Sequence, residues 1–595
     1  MSLGLFRLGR FLLYLLLTGL LVLSIAAAAL TMRVASELPS IETLRDVQLQ
    51  VPLRVYTQDR LLLAEFGEKR RNPVRIEDVP EDLVHAFLAA EDDRFFEHPG
   101  VDVFGLMRAV YELVRTGEKR QGGSTITMQV ARNFYLSREK TYLRKLSEII
   151  LAFRIEQSLS KQEILELYLN KIYLGHRAYG VEAAARVYYG VGISDLSVAQ
   201  MAMIAALPKA PSRVNPVNNP SAAKTRRNYI LDRMYKLDYI DAETHAAARN
   251  EEDTGKLHVV QTGAQAPWVA EMVRDEMVRR FGQEAYTSGY EVVTTLDAGR
   301  QAAANAALRS ALRDYSKRHG YRGPEAQAKL EGKEPGDWPG LLRDHPVRGG
   351  LSSGLVVQVE EKAVQVLLRD GETIGIDWDG LSWARPYKSA NRKGAEPKAA
   401  ADILAVGDII RVEAGEEGKW LLAQVPQAQG ALVSLRPQDG AIVALVGGFD
   451  FGGSKFNRVT QAKRQPGSSF KPIIYSAALE SGFTPASIIN DAPVVFDDAA
   501  LEATWRPENY SGKFYGPTRL REALYRSRNL VSIRVLRAVG ASVAAGYAER
   551  FGFAAEQLPE DLTLALGSAT ATPLQMARAY AVFATGGYRV DPYFI

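Results

Sequence analysis

From Phe11 to Met32 the chain reads FLLYLLLTGLLVLSIAAAALTM, an uncharged run bracketed by Arg10 and Arg33. About 20 apolar residues in a helix cross a hydrocarbon core, so this run is long enough to span a bilayer. A secretory core is shorter, about 7–15 residues. The small residues of SIAAAA leave a cleaved signal peptide as the alternative reading. Arg7 and Arg10 favour a cytoplasmic tail over residues 1–10, an anchor over 11–32 and the bulk of the chain beyond the cytoplasm.

The remainder has room for several domains: the chain has 595 residues, of which 47% are hydrophobic. A net charge of +4 is small for this length and gives no reason to expect nucleic acid as a partner. The absence of cysteine excludes disulfides, thiolate metal sites and a cysteine nucleophile. Residues 55–241 carry helical spacing, as in LRKLSEIILAFRIEQSL and KQEILELYLNKIYL, with Ser160 and Glu163 spaced as a capping box. A proline-rich break, LPKAPSRVNPVNNP, closes this block, and 242–325 reads as a linker region with a helical stretch over about 267–319. Within a β-rich block over 326–428, residues 355–425 alternate apolar and polar positions between Gly/Asp turns and predict a small β-barrel or sandwich. From residue 429 to 595 strands joined at Asp439-Gly440 precede helices, including TRLREALYRSRNLVSIRVLRAVG and TPLQMARAYAVFATGG.

Two constellations carry chemistry. In the first, LVHAFLAAEDDRFFEHPGVD runs an apolar helix into Glu91, Asp92 and Asp93, which taken alone is a helix end with Phe95 and Phe96 packed beneath it. QGGSTITMQVARNFYL follows, and then Arg144, Lys145 and Glu148 fall on one helix face, alone a surface salt-bridge pattern. Together these parts suit glycosyl transfer from a lipid diphosphate. One carboxylate deprotonates a sugar hydroxyl, and cations hold the departing diphosphate.

In the second, RQPGSSFKPIIYSAALESG sets Ser468 three residues before Lys471 at a helix start. A serine hydroxyl needs a neighbouring base, and a lysine whose proton affinity is lowered by burial can serve. The helix start would also offer backbone N–H groups to a developing oxyanion. S-x-x-K occurs by chance in long chains, so alone it is weak. Ser527 to Asn529 adds a second element, S-R-N.

In order, EDDRFFEHPGVD, GGSTITMQ, RKLSE and KQEILELYLNKIYLG resemble the motifs of the family 51 peptidoglycan glycosyltransferases. With the serine motifs, the whole chain resembles class A, bifunctional penicillin-binding proteins, closest to the Gram-negative 1a type. The resemblance implies a membrane helix, a mainly α, lysozyme-like glycosyltransferase domain, a small all-β, OB-like insert and an α/β transpeptidase domain. It makes Glu91 the general base and Glu148 the assistant to the leaving group, directly or through a divalent cation, Mg or Mn. Arg132, Arg144 and Lys145 would neutralise phosphate, with Thr125, Gln129 and Asn133 lining the donor groove. Met128 stands where many relatives have glutamine and is left out of the site. Ser468 would be the acylated nucleophile and Lys471 its base, while Ser527 relays a proton and Asn529 holds the substrate amide.

The implied partners are lipid II and the growing glycan, stem peptides ending in D-Ala-D-Ala, β-lactams, membrane lipid and an outer-membrane activator. The implied location is the inner membrane, with the bulk in the periplasm. No K-T-G or K-S-G triplet stands in the chain. The resemblance puts that motif downstream of GGYRVDPYFI, so the transpeptidase domain is expected to be C-terminally incomplete. Two other readings compete: a glycan polymerase whose last block is an inactive or binding module, and a serine β-lactamase or antibiotic sensor. The latter would have no use for Glu91 or Glu148.

Overall fold

Helical spacing in the first half of the chain becomes a set of short helices around one apolar core. The computed structural model describes residues 18, 25, 29–36, 38, 44, 49–105, 107, 115, 124–136, 141–258, 262–493 and 506–595. Most of the anchor expected at 11–32, and Gly122-Gly123, lie outside the described residues. Among the described residues no single helix is long and apolar enough to cross a membrane. The chain divides into two units, residues 1–54, 65–261 and 277–291 in the first, and 55–64, 262–276 and 292–595 in the second.

The first unit contains α1 (Glu81–Glu91), α2 (Ile126–Tyr135), α3 (Tyr142–Ser158), α4 (Lys161–Lys171), α5 (Val181–Tyr188), α6 (Val198–Ala206), α7 (Pro220–Lys236) and α8 (Ala242–Asn250). α6 is apolar on nearly every side and packs against α1 and α7, while α2 packs against α3 and α4. Phe87, Ile126, Leu151, Leu169, Met203 and Ile230 meet in the core. The capping box at α4 is formed: Ser160 Oγ accepts from the Glu163 amide at 3.3 Å, and Glu163 Oε2 accepts from the Ser160 amide at 2.7 Å.

In the second unit, the alternating residues give an antiparallel sheet of β1 (Ala326–Gln327), β2 (Ser352–Val359), β3 (Ala363–Leu368), β4 (Thr373–Asp377), β5 (Asp408–Ala414) and β6 (Trp420–Ala423). Its order is β6-β5-β2-β3-β4, with β1 also on β5. The end strands β6 and β4 pack on each other, so the sheet curls around Val356, Val366, Ile376, Val412 and Leu422. Glu325 and buried Arg411 join its edge through two hydrogen bonds of 2.8 Å.

The last block begins with the hairpin β7 (Leu432–Leu435) and β8 (Ile442–Val446), turned at Gly440 with φ +86°. β8 is buried throughout and packs on α9 (Ala298–His319). There follow α10 (Lys471–Glu480), the pair β9 (Ile488–Asp491) and β10 (Gly516–Arg519), α11 (Leu520–Tyr525), α12 (Asn529–Val539), α13 (Ala541–Glu549) and α14 (Pro573–Ala584). α10 is enclosed by α12 and α13 around Phe470, Ile474, Val531 and Leu536.

Three expectations are corrected. The helical stretch over 267–319 is two helices, Pro267–Phe281 and α9, because Gly282 and Gly289 take φ +59° and +71° and a short strand, Glu291–Val293, with two valines follows them. The run from Leu520 to Val539 breaks at Ser527, whose φ is +55°. Phe95 is fully buried, but Phe96 is 57% exposed and does not support the helix end.

The turn carrying Ser468 is pressed against Gly567. That glycine has φ +73°, its carbonyl accepts from the Gly467 amide at 3.2 Å, and a Cβ there would lie 2.0 Å from the Gly467 oxygen. Gly567→Ala is therefore expected to displace the turn and to destabilise the last block by about 1–3 kcal/mol from backbone strain alone. Differential scanning calorimetry checks this: the transition assigned to the second unit should fall while the other stays in place.

Candidate active sites

In the first unit, Glu91 is the last residue of α1, at the rim of the core, and accepts a hydrogen bond from Gln129 Nε2 on α2 at 2.7 Å. Arg132, one turn along α2, donates to Gln129 Oε1 at 3.4 Å, so the amide links guanidinium to carboxylate. Burial raises the proton affinity of Glu91 above that of an ordinary glutamate, against the opposing pull of Gln129, Arg226 and Arg132. Its two acidic neighbours are structural. Asp92 accepts from His98 Nε2 at 3.0 Å and from the Ile126 amide at 3.0 Å, pinning the start of α2, and Asp93 pairs with Arg233 at 2.8 Å.

On α3, the spacing of Arg144, Lys145 and Glu148 closes into a clamp. Glu148 is only 1% exposed; Lys145 Nζ donates to its Oε2 at 3.0 Å and Arg144 Nη1 to its Oε1. This is a buried charge cluster rather than the surface pair that the pattern alone suggests. Lys145 also donates to Ser124 Oγ at 2.7 Å, tying α3 to the start of α2.

The remaining predicted residues divide. Thr125 is buried and spent on structure: its hydroxyl caps α2 through the Met128 amide and donates to the Gly100 carbonyl at 2.5 Å. Asn133 is half-buried near the end of α2. Met128 is fully buried with Val101 and Ala152. Sequence reasoning missed Arg226 on α7 and Tyr168 on α4. Arg226 lowers the proton affinity of Glu91, whereas Tyr168 is wholly buried near Glu91, its hydroxyl without a partner among the described residues. Neither could be found from local spacing, since α7 meets α1 only through the fold.

The residues offer a divalent cation little. Both oxygens of Glu148 are taken by cations, and among the described residues no group of three His, Cys, Asp or Glu meets. This donor set does not fit a metal held by the protein.

In the second unit, Ser468 lies in a single 3-10 turn, Gly467–Phe470, and is exposed, while Lys471 begins α10 and is buried. The α-helix cannot extend back through the serine because Pro472 would collide with the carbonyl four residues earlier, that of Ser468. Lys471 Nζ reaches the S-R-N turn: Ser527 O at 2.9 Å, Ser527 Oγ at 3.0 Å and Asn529 Oδ1 at 2.7 Å. Burial brings its pKa down to about 8. Asn529 Nδ2 donates to the Glu508 carbonyl at 3.0 Å, and Tyr580 Oη to the Ser469 carbonyl at 2.8 Å.

Known families match three stretches: a transglycosylase domain over 59–235, a penicillin-binding protein OB-like domain over 321–428 and a penicillin-binding protein transpeptidase domain over 430–595. Penicillin-binding protein 1A of Pseudomonas aeruginosa is 54% identical over 558 residues, covering 94% of this chain and 68% of that protein. The Escherichia coli protein of the same name is 47% identical over 562 residues, covering 94% of this chain and 66% of its own length. The crystal structure of penicillin-binding protein 1A from Haemophilus influenzae matches with a TM-score of 0.65 at 37% identity, over 92% of this chain and 70% of that one. The chain thus spans about two thirds of the length of these relatives. It belongs to the penicillin-binding protein 1A family of bifunctional peptidoglycan glycosyltransferases and D,D-transpeptidases.

Proposed function

We propose that Glu91 is the base of a lipid II polymerase and Ser468 the nucleophile of a crosslinking reaction. In the first reaction Glu91 takes the proton of the acceptor sugar's 4-hydroxyl as that oxygen attacks the anomeric carbon of the donor, with inversion. The carbon–oxygen bond to the lipid diphosphate breaks, and Arg132, Arg144 and Lys145 carry the charge that accumulates on the leaving group. Buried Glu148 fixes the last two cations. The observation that carries this reading is Glu91 itself, a carboxylate drawn partly from water, bonded by one amide and facing guanidinium charge.

The uncharged run at 11–32 supports an anchor in the inner membrane, with the catalytic units in the periplasm, where a lipid-linked donor is met at the bilayer surface.

In the second reaction Ser468 Oγ attacks the carbonyl of the penultimate D-alanine and gives its proton to neutral Lys471. The peptide bond breaks, the terminal D-alanine leaves with a proton relayed through Ser527, and an amine of another stem takes the acyl group. β-Lactams would acylate the same oxygen. With a pKa of about 8, roughly a tenth of Lys471 is neutral at pH 7.

Glu91→Gln should lower the rate of lipid II polymerisation by about 100- to 10 000-fold, the usual value of a general base; a folded variant that still makes chains removes Glu91 from the role. Gln129→Leu takes away a bond that favours ionised Glu91. The carboxylate then holds its proton to higher pH, so the acid limb of the polymerisation profile should move upward. Fluorescent penicillin should label the chain faster as pH rises towards about 8, with Ser468→Ala as the blank. A flat profile over that range would exclude Lys471 as the titrating base.

A further inference from the structure

Beneath the S-R-N turn lies a pair of side chains that the reaction chemistry does not touch. Asp491, at the end of β9, is fully buried. Its carboxylate accepts from Asn509 Nδ2 at 2.8 and 3.0 Å, while the nearest guanidinium nitrogen, Arg528 Nε, stands off at 3.9 Å. Asn509 is 5% exposed and also donates to the Lys513 carbonyl at 3.0 Å. Its Oδ1 points the other way and accepts from the amides of Asn529 and Leu530 at 2.9 and 3.4 Å.

Those are the first two amides of α12, and Arg528, at the capping position, supplies no side-chain cap. Asn509 therefore caps α12 from another segment of the chain. Glu508, its neighbour, accepts from the Asn529 side chain. The two residues thus grip Asn529 by backbone and side chain together. The grip explains how Ser527 keeps φ +55°. A non-glycine residue there costs about 1–3 kcal/mol and persists only where its surroundings over-determine it.

We propose that Asn509 is a positioning residue for acyl transfer: anchored on buried Asp491, it caps α12 and fixes the left-handed Ser527 turn whose three oxygens hold Lys471. The proposal rests on the reading of Lys471 as the base. Other charged groups nearby are engaged elsewhere. Arg528 stacks on the Tyr515 ring, Arg534 bonds the carbonyls of Ala492 and Pro493, and Glu480 pairs with Arg550 at the far end of α10.

The test reads Lys471 directly. The full chain is labelled with 13C at the lysine ε-carbon, the Lys471 signal is identified by its loss in Lys471→Arg, and its titration midpoint is followed by NMR. Acceptors around the ammonium favour the protonated form, so releasing the turn in Asn509→Leu should lower the midpoint below the parent value of about 8, by about half a unit or more. The exchange variant Asn509→Asp with Asp491→Asn keeps the cap on α12 and a bond between the two side chains with donor and acceptor swapped, gives up the donation to the Lys513 carbonyl, and should return the midpoint at least half of the way. An unmoved midpoint in folded Asn509→Leu, or an exchange variant that behaves like the single one, overturns the proposal. Penicillin labelling in the same preparations separates the two levels. A parent chain without Ser468-dependent labelling sinks the reading of the base, while the NMR midpoint still decides whether Asn509 positions Lys471.

Discussion

A carboxylate removed almost wholly from water needs close partners, and Glu148 is held by two cations, Arg144 and Lys145. Much of the first site follows from this. The clamp fixes both cations on one face of α3, and the bond from Lys145 to Ser124 ties that face to the start of α2. α2 in turn carries Gln129 and Arg132 to Glu91. Any further negative charge at Arg144 and Lys145 competes with Glu148 for them, and the fold alone holds the two cations in place.

The second site manages burial differently. Lys471 is enclosed and pairs with no carboxylate among the described residues, and neutral oxygens from a strained turn take its hydrogens. Neutral acceptors leave the burial penalty largely uncompensated, which is why this lysine loses its proton more easily than an exposed one. The first site keeps its ions charged, whereas the second makes neutralisation accessible. Each arrangement suits its reaction: charge stabilisation in one, proton acceptance in the other.

What was legible in the sequence was local. Spacings of three and four residues put Arg144, Lys145 and Glu148 on one face, and the capping box at Ser160 stands as the pattern requires. Alternation gave the strands of the OB-like sheet. Legibility ended where a residue's meaning depends on distant chain. Thr125, a groove residue by resemblance, caps α2. Arg226 influences Glu91 from a helix that begins well over a hundred residues later, and Asn509 caps a helix that begins 20 residues after it. The break at Ser527 was hidden for the same reason: its neighbours favour helix, and a contact from outside the segment overrides them.

The close approach of Gly567 to Gly467 bears on how a drug target of this kind can change. At this contact the Ser468 turn is supported main chain against main chain, beside the Tyr580 side chain on the Ser469 carbonyl. A substitution at Gly567 adds a side chain where none fits rather than exchanging one for another. An inhibitor that drew its selectivity from this backbone-lined stretch would face a surface that single substitutions can break but not remodel.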